Sequence, residues 1–91
     1  MIFSKSMYYG PHAWQRRAEL LENLRERRWQ PACYIVTAAR KPNLYEIWNS
    51  VSFLNPRLDT EDVEILGLAY GYPEALRLIQ RMLREEGVQK C

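Results

Sequence analysis

The stretch ILGLAYGYPEALRLIQ, Ile65–Gln80, decides how this chain folds. An apolar run ends in two glycines four residues apart, a proline follows, and apolar residues then recur at helical spacing. Strand, glycine turn and helix start is the order in which many phosphate-binding loops are built. The residues such loops require are missing. A Walker loop places Lys and Ser or Thr after its final glycine, whereas Gly71 is followed by Tyr72 and Pro73. The dinucleotide fingerprint needs three closely spaced glycines, and only Gly67 and Gly71 occur. Tyr72, read as the residue capping the helix, offers no side-chain acceptor to the first-turn amides. Glu74, in that same turn, complements the helix dipole and would repel a phosphate at close range. The stretch is therefore read as a turn, in which Gly67 lets a helix pack closely and Gly71 supplies free backbone geometry.

Working outward, VEILGLAY (63–70) is apolar on both faces, the pattern of an interior strand. PEALRLIQRMLREEG (73–87) predicts a helix with Ala75, Leu76, Ile79, Met82 and Leu83 as its apolar arc and Gly87 placed to end it. Upstream, the segment between Gly10-Pro11 and Pro31 predicts another helix over about 12–29, with Trp14, Ala18, Leu21 and Leu24 in a stripe and Leu20 beside it. ACYIVTAA (32–39) and NLYEIWNS (43–50) flank RKP and predict a hairpin. If Arg40 lies opposite Asn43, Thr37 faces Glu46 and Ile35 faces Trp48. Residues 50–62 are a connection carrying a single helical turn near Val51–Leu54. The first ten residues read as either an arm or a further strand.

The order helix, strand, strand, strand, helix, with each helix apolar along one side, predicts an α+β fold. The expected architecture is a two-layer sandwich with both helices on one face of a small, mainly antiparallel sheet. Residues 1–91 make a single domain, since the length leaves no room for a second core. Apolar residues at 47% and charged residues at 26% belong to a folded chain, not a disordered one. The net charge of +2 implies no long-range field that would dictate a partner. Ten of the 13 basic residues are Arg, whose planar fork stacks on aromatic rings, and 11 aromatic residues are present. No segment approaches the roughly 20 apolar residues of a membrane span, and MIFSKSMYYG is too short in its apolar run for a signal peptide. Cys33 and Cys91 are expected to be reduced thiols of a cytoplasmic chain.

Chemistry-bearing patterns are sparse. His12 stands alone, in the first turn of the first helix, and reads as an exposed residue at a helix start. One His and two distant Cys give no metal-ligand spacing, so no metal or cofactor is expected. Glu61, Asp62 and Glu64 read as a solvated acidic loop, and Ser50 and Ser52 have no base nearby in sequence. No catalytic residue is assigned, and the reading leans away from an enzyme. Arg77, Arg81 and Arg84 form a strip at i, i+4 and i+7 that suits the phosphates of nucleic acid. Glu74 and Glu85 lie within pairing reach of Arg77 and Arg81, which reads more simply as a salt-bridged surface helix. Arg17, Arg25 and Arg28 fall in or beside the apolar arc of the first helix, where their stems cover apolar surface. Arg17 and Arg28 are further, weaker contacts for an anion.

Two functions follow. The first is a protein-binding module, self-associating or held by a protein partner, that uses the sheet face bearing Ile35, Leu44 and Trp48. That face mixes polar and aromatic groups and, with both helices on the other side, would be left open. The second is a nucleic-acid-binding protein using the arginines of the last helix. The architecture itself is shared by many small α/β proteins and carries no function.

Overall fold

The computed structural model describes residues 1–39 and 44–90, with side chains as far as residue 85. Its strands are β1 (Ile2–Tyr9), β2 (Cys33–Ala38), β3 (Tyr45–Asn49) and β4 (Glu64–Tyr70), and its helices α1 (Pro11–Gln15), α2 (Arg17–Arg25), α3 (Ser50–Phe53) and α4 (Tyr72–Lys90). The four strands form one mixed sheet in the order β1-β4-β2-β3, with β1 parallel to β4 and the other pairs antiparallel. VEILGLAY is thus an interior strand, paired on both sides. The β2–β3 hairpin has the expected register, Ile35 facing Trp48, Thr37 facing Glu46 and Val36 facing Ile47. Its RKP turn falls outside the described residues.

The opening residues form a strand, β1, at one edge of the sheet. It leaves register between Phe3, opposite Ile65, and Tyr8, opposite Gly67. The Ser-Lys-Ser segment therefore stands out of the ladder, and an irregular edge carrying a lysine resists pairing with another chain.

The two-layer expectation is not met. Ala13, Leu20 and Leu24 of α1 and α2 pack with Cys33, Ile35, Ile65 and Leu68 in one cluster, joined by Phe53 of α3. Ala75, Leu78 and Met82 of α4 pack with Val36 and Ala69, and with the partly buried Tyr34, Tyr45 and Ile47, in another. Neighbouring strand residues point to opposite faces, so the helices lie on opposite sides of the sheet. The inner strands are apolar on both faces because both faces are covered.

Helix boundaries moved for local reasons. The first helix breaks at Arg16, whose amide bonds Ala13 O three residues back (3.1 Å), while the Arg17 guanidinium bonds Trp14 O (2.7 Å). α2 then ends at Arg25, short of the expected 29. Arg27 adopts φ 57°, its amide bonds Leu24 O, and the Arg28 amide bonds Asn23 O. That is the Schellman ending, here built on arginine where glycine is usual. At the other end of the chain Gly87 does not stop α4, which continues to Lys90. A helical glycine costs about 1 kcal/mol and ends a helix only if the chain turns there. The expected turn after the hairpin is α3, capped by the Asn49 side chain accepting from the Val51 amide (2.9 Å). No helix among the described residues is long and apolar enough to cross a membrane.

Candidate functional site

β1 and β4 run side by side in the same direction, yet the chain leaves β1 toward one face of the sheet and leaves β4 toward the other. Where parallel neighbours part in this way, a crevice opens beyond their carboxyl ends, the usual ligand position in open α/β sheets. Two glycines make the parting possible. Gly71 has φ 97°, which side chains rarely tolerate. Gly10 lies so close to Glu74 that a Cβ there would collide with the carboxylate.

Glu74 joins the two turns. It is buried, and its Oε1 accepts from the His12 amide (3.1 Å) and from His12 Nδ1 (2.7 Å). Oε2 accepts from the Ala13 amide (3.1 Å) and the Tyr70 amide (2.8 Å). One carboxylate of α4 thus satisfies the first amides of α1, which has no side-chain cap of its own. Burial pushes its carboxyl upward, but the Tyr70 and His12 amides, the His12 ring and the Ala13 amide outweigh that and leave it below the ordinary range. With Nδ1 donating to Glu74, the Nε2 of the well-exposed His12 ring is directed away from the carboxylate.

The crevice beside this pair is a cavity of about 240 Å³, walled by Pro11, His12, Glu74, Arg77, Arg81 and Arg84. The three arginines foreseen as a strip are therefore brought together, and His12 is added to them. The expected salt-bridged helix is absent: Glu74 turns to His12, and the ion pairs among the described residues are His12–Glu74 and a long Arg16–Glu19 contact. Arg77 and Arg84 are exposed and have no carboxylate within ion-pair distance among the described residues. Arg81 reaches back to β1, donating from Nη2 to Tyr9 O (3.1 Å) with its guanidinium 5.7 Å from the Tyr8 ring centre; its buried Nε–H has no acceptor among the described residues.

Across Arg81 and Pro11 lies a second, open-mouthed cavity of about 480 Å³, also lined by Met7, Tyr9 and Trp14. Trp14, expected in the core, is 51% exposed. Tyr9 meets it edge to face at 5.4 Å, and the Arg17 guanidinium stacks 3.7 Å from its ring centre. Arg25 likewise lies over Phe3. Arg28 bonds Asn23 Oδ1 and lines neither cavity.

The proposed interaction face fares differently. Ile35 is fully buried beneath the first two helices. Trp48 is half-buried against Phe53 at 6.0 Å, and Leu44 alone of the three is exposed. α1 to α3 pack on this face and take Ile35 out of reach of a partner, while Trp48 and Glu46 border a cavity of about 490 Å³ beside it. Cys33 lies in the same cluster, its thiol pushed up to about 12 by burial. Among the described residues no group of three or more His, Cys, Asp and Glu is placed to hold a metal. Comparison with protein-family models, curated proteins and solved structures returns no match.

Proposed function

We propose that this protein binds nucleic acid through the cleft between α4 and the β1–α1 turn. The observation that carries the reading is that Arg77, Arg81 and Arg84 line one cleft with His12, with no carboxylate paired to them among the described residues, while the charge of Glu74 is spent on four internal donors. Arginine is suited to this because its fork matches phosphate oxygens two at a time. The aromatic cavity across Arg81 extends the surface beyond a bare anion site. Fluorescence anisotropy with a labelled oligonucleotide over a salt series tests it. Three phosphate contacts give a slope of log affinity against log salt of roughly −2 for a single strand. The double variant Arg77→Ala/Arg84→Ala should reduce the slope to roughly −0.7, one remaining contact. Binding that ignores salt, or ignores the double substitution, defeats the reading.

A second reading keeps self-association but moves it. Tyr72, Leu76 and Leu83 are 50%, 44% and 42% exposed, at i, i+4 and i+11 along α4. Such a stripe on a surface helix suits the same stripe of a second copy. Light scattering on Leu76→Glu/Leu83→Glu tests it: a wild type that is already monomeric removes the reading.

A further inference from the structure

We infer that the site is built for an unpaired nucleotide, with its base against Trp14 and its phosphate among Arg77, Arg81 and Arg84. This rests on the nucleic-acid reading and specifies which form of the polymer is bound. The two cavities share Arg81 and Pro11 as walls. Neighbouring cavities of which one is aromatic and the other cationic suit a ligand whose ring and anion are joined by a short polar linker. A nucleotide has that build, and a base buried in a duplex does not present its ring face.

The aromatic cavity is unlike a piece of core left uncovered. Trp14 is half exposed, yet it is held on three sides: it belongs to α1, Tyr9 packs edge-on, and the Arg17 guanidinium covers one ring face. A fixed indole loses little freedom on stacking with a base, and stacking of this kind accepts any base because each has a π-face. The base stacks on the exposed part of the indole, and the adjoining guanidinium adds a cation–π contribution. Arg81 stands between the cavities. Its Nη2 is tied to Tyr9 O, which fixes the guanidinium as a wall shared by the aromatic and the cationic cavity.

Four probes on the full chain test this by anisotropy or intrinsic fluorescence: a short single-stranded oligothymidylate, a duplex of equal length, an abasic polymer with the same number of phosphates, and thymidine 5′-monophosphate. The single strand should bind more tightly than the duplex and the abasic polymer. Trp14→Ala should weaken single-strand binding about tenfold, the effect of losing one stacked base, and leave the abasic polymer unchanged, while Trp14→Phe restores most of the loss. Quenching of tryptophan fluorescence by the monophosphate, absent in Trp14→Phe, places a free nucleotide in the site as well; quenching by the polymer alone assigns the site to single strands. Equal binding of all polymers with no effect of Trp14→Ala overturns the base site and leaves the arginine reading standing, with its salt slope. Failure of every polymer to bind overturns both.

Discussion

Glu74 sits where two turns meet: three of its four hydrogen bonds reach 61 or 62 positions back to His12 and Ala13, and the fourth is to Tyr70 in its own turn. Removing it strands the His12, Ala13 and Tyr70 amides, so Glu74→Ala should cost at least about 1–3 kcal/mol, the penalty for a single unsatisfied buried donor. Gly10→Ala should do comparable damage although the Gly10 backbone (φ −66°, ψ 160°) suits alanine, because the new methyl displaces the carboxylate. The two losses share one mechanism, so the double variant should melt close to Glu74→Ala alone rather than at the sum. Chemical denaturation of the three variants checks this, and additive losses would separate Gly10 from Glu74. The carboxyl is also held below its ordinary value of 4.5 in the folded chain. Its contribution is therefore complete above that value and is lost as pH falls through the lower folded one. Glu74→Gln should flatten the acid side of the melting-temperature profile while leaving the shape near neutrality unchanged. None of this was legible locally. Sequence offers Glu74 an arginine three positions on, and the histidine it actually holds lies 62 positions away.

At the scale of the element, α4 shows what periodicity fixes and what it leaves open. Ala75, Ile79 and Met82 of the apolar arc lie on the packed side, but Leu78, not Leu76 or Leu83, sits at its centre. The helix wheel allows either arc, because leucines flank the shared residues on both sides. Gly67 decides between them: it faces α4, and a Cβ there would come within 3.1 Å of Leu78 Cδ2. The strand is hollowed for that leucine. Leu78→Ala should consequently cost about 2–5 kcal/mol, whereas Leu76→Ala and Leu83→Ala should each cost less than about 1 kcal/mol. Thermal or urea melts of the three decide it, and comparable losses at all three would restore the broader arc. The register of the hairpin strands was readable because the strand period and the assumed pairing across the turn fix which residues face each other. The break at Arg16 and the Arg27 ending were not, since arginine is no signal for either.

For the whole molecule, the layer arrangement was the part that sequence order did not determine. Two amphipathic helices and a sheet can pack on one face or on both, and the choice turns on β1. Its residues Phe3, Met7 and Tyr9 join the cluster under α1 and α2, while Tyr8 joins the one under α4. A strand interrupted by Ser-Lys-Ser gave no alternation from which to read this. The consequence for association is direct. With α1 to α3 over the face that bears Ile35 and Trp48, Trp48 packs edge-on against Phe53, close to the apolar Val63 and Leu58 that line the cavity beside it. Trp48→Glu then places a carboxylate against a covered apolar layer and removes half of a buried aromatic's contacts. It should lower stability by roughly 2 kcal/mol, about half the cost of truncating a fully buried aromatic, and leave the solution mass at that of the wild type. A thermal melt and light scattering on the same sample separate the two effects. A variant that melts normally but loses mass would return the interface to this face and remove the helices from it.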